Sequence, residues 1–162
     1  MEQVLEKMFF IECLGEPLEF VSGPEVVAHL TFEGDPSGAL TLRVTAGAAR
    51  SVAADFLGAE ESDLSEQQIG DVVSELANMI CGSVLSRVES STTFRLAAPR
   101  IVPSESEAGH FPGWAPEPGG SPPSDAGGRS STVHAVMIGS GRMVVSIDTE
   151  TPAWSTAARS AF

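Results

Sequence analysis

The chain has 162 residues, of which 42% are hydrophobic, and its 22 acidic residues against 9 basic ones give a formal net charge of -13. That length holds one compact domain with its own core and is short for two, while the hydrophobic content excludes wholesale disorder. The charge makes nucleic acid and anionic membrane surfaces poor partners. No apolar run approaches the roughly 20 residues that cross a bilayer, and the start, Met1-Glu2-Gln3-Val4-Leu5-Glu6, lacks the basic opening of a signal peptide. Cys13 and Cys81 stand at no motif spacing, and His29, His110 and His134 are scattered. These counts argue against a disulfide framework or a resident metal cluster and predict a cytoplasmic protein.

In chain order, Val4, Leu5, Met8, Phe9 and Ile11 share one face of a helix that ends before Gly15 and Pro17. Two alternating strands follow, near 26–33 and 39–46, and the turn-rich Glu33-Gly34-Asp35-Pro36-Ser37-Gly38 between them predicts an antiparallel hairpin. His29 falls on the more polar face of its strand and is expected to be solvated or hydrogen-bonded. Ala46 to Leu57 reads as a short helix closed by Gly58, and Asp63 or Ser65 offers an N-cap to a long helix near 64–89. Ser65 with Gln68 matches a capping box. A strand near 93–98 stops at Pro99.

Residues 103–130 are crowded with Pro, Gly and Ser, and Glu117-Pro118-Gly119-Gly120-Ser121-Pro122-Pro123 holds neither helix nor inner strand. With almost no aliphatic side chains this stretch is expected to add little to a core, so that deleting most of it leaves stability nearly unchanged. Strands near 132–138 and 143–149 flank a second turn signal, Gly139-Ser140-Gly141. The pattern predicts one α+β domain over 1–150, an antiparallel sheet covered on one face by helices, with a flexible tail at 151–162.

The long helix carries the most informative pattern. Ile69, Val72, Val73, Leu76, Ile80 and Val84 form one apolar stripe, while Asp71, Glu75, Asn78 and Gly82 fall on nearly the opposite side. Glu75 and Asn78, three residues apart, emerge beside each other. Gly82 costs a helix interior about 1 kcal/mol relative to alanine, which close approach of another surface would offset. Spacing alone also allows a solvated face with an incidental Glu, Asn and Gly, and favours that plainer alternative. Cys81 points away from this face and reads as a buried small hydrophobe.

The run Glu75-Leu76-Ala77-Asn78-Met79-Ile80-Cys81-Gly82 resembles the Glu-x-x-Asn signature of the CheC/CheX/FliY family of chemotaxis phosphatases, and is most similar to CheX. The segment Phe94 to Val102, with Pro99 before Arg100-Ile101-Val102, and the N-terminal Glu6-Lys7-Met8-Phe9-Phe10 resemble the same family. Three features depart from it. Ser74 stands where glycine is common, residues 103–130 have no recognised counterpart, and Phe9 occupies the place of an asparagine in a second, N-terminal motif.

The resemblance implies a CheX-like fold, a single site, and removal of phosphate from the aspartate of a phosphorylated CheY-like response regulator. It implies that Asn78 orients the attacking water and that Glu75 engages the regulator's active-site lysine. Asp71 and Gly82 are then candidate partner contacts on the same face. The protein would need no cofactor of its own, the Mg2+ being the regulator's, and a homodimer joined through a sheet edge is implied as well. The competing expectation is a non-catalytic module that only binds a response regulator in chemotaxis or motility signalling.

Overall fold

The computed structural model describes residues 23–88, 93–102, 130–138 and 141–150. The expected N-terminal helix, most of the 103–130 segment and the tail lie outside them.

Alternating apolar and polar residues form β1 (Glu25–Glu33) and β2 (Gly38–Thr45), paired antiparallel from Glu25↔Thr45 to Phe32↔Gly38. The alternation puts Ala28, Leu30 and Phe32 on the same face as Leu40, Leu42 and Val44, all buried. The chain then turns directly into α1 (Ala46–Leu57), whose alanine-rich face, Ala48, Ala49, Val52 and Ala53, allows close approach to the sheet. Gly58 ends it at φ 63°, a left-handed conformation that favours glycine.

A single turn at Glu61–Asp63 leads to α2 (Glu66–Leu85). Ser65 is its cap, and the expected box is complete. The Gln68 N–H donates to Ser65 Oγ at 3.3 Å, and the Ser65 N–H donates to Gln68 Oε1 at 3.0 Å. Arg50 of α1 ties the connector down, donating to the carbonyls of Glu61 and Leu64 and pairing with the Glu66 carboxylate. The helix stops at Leu85 rather than near 89. Just beyond it the Ser86 hydroxyl donates to the Ser83 carbonyl at 2.8 Å, a local bond that competes with the helical ladder.

The strand expected at 93–98 is shorter, and a further one that was not expected follows Pro99. β3 (Arg95–Leu96) pairs with the end of β1, and β4 (Arg100–Val102) pairs with its beginning. Pro99 between them lacks the N–H a continuous ladder requires. β5 (Ser130–Ile138) and β6 (Gly141–Thr149) form the second hairpin, and β6 joins β2. Ser130 and Ser131, placed by composition at the border of the Pro/Gly/Ser stretch, are drawn into the ladder by Thr149 and Asp148. The result is a six-stranded antiparallel sheet in the order β3-β1-β2-β6-β5, with β4 also on β1.

Both helices lie on one face of this sheet. Their buried stripe, Val73, Leu76, Ile80 and Val84 among others, forms one core with Leu30, Leu42, Met143, Val145 and Ile147. On the second face Glu25 holds two arginines, Arg142 at 2.9 Å and Arg43 at 3.7 Å. The same face carries His29, whose Nδ1 lies 3.1 Å from Thr41 Oγ1, so this histidine is hydrogen-bonded as its strand position predicted.

Candidate functional site

α2 places the candidate residues. Leu76 and Ile80 are fully buried in the core, which fixes the rotation of the helix and turns its other side outward. Glu75 and Asp71 are exposed, and Asn78 and Gly82 are half-buried. Among the described residues the side chains of Asp71, Glu75 and Asn78 make no hydrogen bond or ion pair, so the Asn78 amide keeps its donors and its acceptor for an outside group.

Two rows run along this face at i, i+4 spacing. Ser74, Asn78 and Gly82 form one, which starts from the buried Gly70; Asp71, Glu75, Met79 and Ser83 form the other. In the first row only Asn78 has a side chain longer than that of serine. The amide therefore stands above low ground, with the Glu75 carboxylate beside it in the next row. Among the described residues a Cβ placed on Gly82 would meet nothing within 4 Å, so none of them demands a glycine there.

Gly70 was not singled out in the sequence, and Ser74 only as a departure from the family pattern, although the four-residue spacing that links them to Asn78 was available. Gly70 has a different reason for its identity. A Cβ there would lie 3.3 Å from Ile101 Cγ1 of β4, so the missing side chain lets the edge strand close against the helix. Ile101 remains 43% exposed, an apolar group beside the start of the Asn78 row.

The electrostatics are one-sided. Within α2 the charged residues are Glu66, Asp71 and Glu75, with no Lys or Arg from 66 to 85. Such a face repels a free phosphate and suits a cationic group on a partner. Cys81 lies on the other side of the helix, 1% exposed, and burial pushes its thiol up to about 12 from an ordinary value near 9. It is an inert core residue at neutral pH. Among the described residues no three His, Cys, Asp or Glu side chains stand together as metal ligands, and no helix is long and apolar enough to cross a membrane.

The fold and this helix define a class: an α+β domain with an antiparallel sheet, presenting a carboxylate and an amide from one exposed helical face. Its sequence between residues 26 and 111 matches the family described as chemotaxis phosphatase CheX, a match that spans more than half of the chain and includes α2. The chain belongs to the CheX family. The match runs past β4 into the Pro/Gly/Ser stretch, as far as Phe111.

Solved structures agree on the fold. The chain is similar to the CheX chemotaxis protein of Vibrio vulnificus, with a TM-score of 0.63 and 20% identity over 92% of this chain and 90% of that one. It is similar to the CheX of Desulfovibrio desulfuricans, with a TM-score of 0.61 and 22% identity over 92% and 93%. It is also similar to a chain in the CheX–CheY–BeF3–Mg2+ complex of Borrelia burgdorferi, with a TM-score of 0.58 and 17% identity over 91% and 90%. No curated protein matches the sequence.

Proposed function

We propose that this protein is an aspartyl-phosphate phosphatase for a CheY-like response regulator, acting through Asn78 and Glu75. The observation that carries the reading is the outward row of α2, in which an unengaged amide rises from a line of Gly and Ser residues beside an unengaged carboxylate. Family membership supports it, as does the CheX–CheY complex among the similar structures, which holds BeF3 and Mg2+.

An acyl phosphate hydrolyses when water attacks phosphorus in line with the bond to the aspartyl oxygen. That bond breaks, the carboxylate departs, and the water's proton leaves with inorganic phosphate. α2 carries three acidic residues and no Lys or Arg for the phosphoryl oxygens, so the proposal assigns charge neutralisation to the regulator's Mg2+ and lysine. What α2 adds is position. The Asn78 carbonyl accepts a hydrogen bond from the water while its N–H groups donate, and being neutral it does so without repelling the phosphoryl group. Glu75 pairs with the regulator's lysine and sets the register, and Asp71 and Gly82 complete the contact. Outside α2, β5 has an outer edge without a partner among the described residues, the place at which a second copy would extend the sheet. The proposed setting is the cytoplasm.

Asn78→Ala tests the assignment. The stimulated dephosphorylation should fall by at least on the order of a hundredfold, with affinity for a beryllofluoride-loaded regulator nearly unchanged, because the lost interaction belongs to the transition state. Full activity in this variant would remove Asn78 from the mechanism. Tight binding by the unmutated protein with no stimulation would establish the binding module instead.

A further inference from the structure

Among the described residues the large apolar side chains left exposed are Phe56 and Leu57 at the end of α1, Val133 on the second face of the sheet, and Ile101 on β4. Ile101 differs from the others in its setting. It pairs with Ala28, which is fully buried, so its side chain lies on the helix side of the sheet, where an isoleucine is ordinarily covered. No strand lies beyond β4 among the described residues. α2 meets the isoleucine at Gly70, and 43% of it stays exposed.

Two concessions therefore fall at one point. A glycine inside a helix weakens that helix, and an isoleucine facing water forgoes burial. Gly70 makes the first, which lets β4 bring Ile101 against α2, and Ile101 makes the second. The point is close to the candidate site. Gly70 precedes Asn78 by eight residues, about 12 Å along the helix axis and about 80° around it. Ile101 thus flanks the Asn78 row on the side away from Glu75 and Met79, with only the small Ser74 between. A standard protein interface covers about 800 Å2 on each partner, a disc of about 16 Å radius. A footprint centred on Asn78 reaches Ile101.

We propose that Ile101 is an apolar docking contact for the response regulator, extending its binding surface from α2 onto β4. This inference takes its partner from the phosphatase reading and adds the chemistry of a second contact. Asp71 and Glu75 face the regulator's lysine on one side of the row, while the other side, Ser74 and Ile101, holds no charge that docking would have to desolvate. The regulator then carries an apolar side chain about 12 Å from its phosphorylated aspartate, and a regulator with a charge there is disfavoured. Covering the exposed part of Ile101, roughly 80 Å2 of apolar surface at about 25 cal/mol per Å2, is equivalent to about thirtyfold in affinity. At that distance from phosphorus the contact is the same in the ground and transition states, so it acts on KM and not on kcat.

The experiment measures binding of a beryllofluoride-loaded CheY-like regulator, and kcat and KM for phosphate release, in the unmutated protein, Ile101→Thr and Val133→Thr. Val133 is exposed to the same 43% and lies on the far face of the sheet, which makes it the matched control. Ile101→Thr, which keeps a branched side chain suited to a strand, should weaken binding and raise KM about tenfold with kcat unchanged, and Val133→Thr should move neither. Ile101→Val, a still smaller change, should cost about threefold, and urea unfolding of each variant reads the fold separately. Unchanged affinity in Ile101→Thr, an equal loss in Val133→Thr, or a fall in kcat alone would overturn the proposal. So would a change of oligomeric state at unchanged regulator affinity, which would assign Ile101 to a second copy of the chain. Failure of the phosphatase reading looks different: binding that weakens with Ile101→Thr, without stimulation by the unmutated protein, would keep the contact and remove the reaction. Absence of binding to every regulator tested would remove both.

Discussion

Replacing Gly82 with alanine separates what the fold needs from what a partner needs. The position lies inside α2, one turn beyond Asn78, where glycine costs about 1 kcal/mol relative to alanine. A Cβ there has nothing within 4 Å among the described residues, and none of these opposes the gain sterically. Gly82→Ala should therefore stabilise the protein by about 1 kcal/mol, which raises Tm by about 2–4 °C and the urea midpoint by roughly 0.5 M. Gly70→Ala is the internal control: its Cβ would meet Ile101 at 3.3 Å, so it should gain less or lose. Function should move the other way. A methyl in the Asn78 row lifts the approaching regulator, and Gly82→Leu lifts it further, so stimulated dephosphorylation should fall from glycine to alanine to leucine as stability rises. Urea unfolding and phosphate release measured on the same preparations read both. Destabilisation by Gly82→Ala would refute the open-helix geometry, and full activity in Gly82→Leu would remove Gly82 from the docking surface.

Other expectations rest on separate elements. Glu75→Ala should weaken regulator binding by about 1–3 kcal/mol and slow the stimulated reaction, because it strips a charged partner from the regulator's lysine; titration calorimetry beside the phosphate assay reads both effects. Leu76→Ala should cost about 2–5 kcal/mol on denaturant unfolding, since the leucine is fully buried beneath the site. Ser65→Ala opens the capping box and should cost about 1 kcal/mol, read by the same unfolding curves. Cys81 gives a pH signature. Its thiol is raised in the folded state, so its contribution is fully present below pH 9 and is lost as pH climbs from about 9 toward about 12; Cys81→Ala should flatten that alkaline decline in stability.

Much of this architecture was legible because local chemistry and tertiary packing agree. The Ser65–Gln68 box, Gly58 and the alternation of β1 and β2 each carry their own signal, and they mark the observed elements to within a residue or two. The rotation of α2 was legible for the same reason: its apolar stripe must face the sheet. The helix is buried over a wider arc than the stripe predicts, because Gly70, Ala77 and Cys81 also pack inward, and small residues give a weak periodic signal. The break at Pro99 was visible, but not that Arg100–Val102 resumes pairing with the same strand, since three residues carry no measurable period. Strand order was not legible either. The placement of β4 and β5 on opposite sides of β1, β2 and β6 follows from long-range pairing, which no local pattern announces. At the site, the Glu-x-x-Asn resemblance named Glu75 and Asn78, while the low row around Asn78 emerges only when exposure is known.

The measurement that bears most directly on the central proposal is the rate of phosphate loss from phosphorylated CheY-like regulators of the same genome, with and without this protein and with Mg2+ present. At least one regulator should lose phosphate many times faster with the protein added, and the acceleration should vanish with Asn78→Ala. Unchanged decay of every regulator that binds the protein would contradict the phosphatase reading.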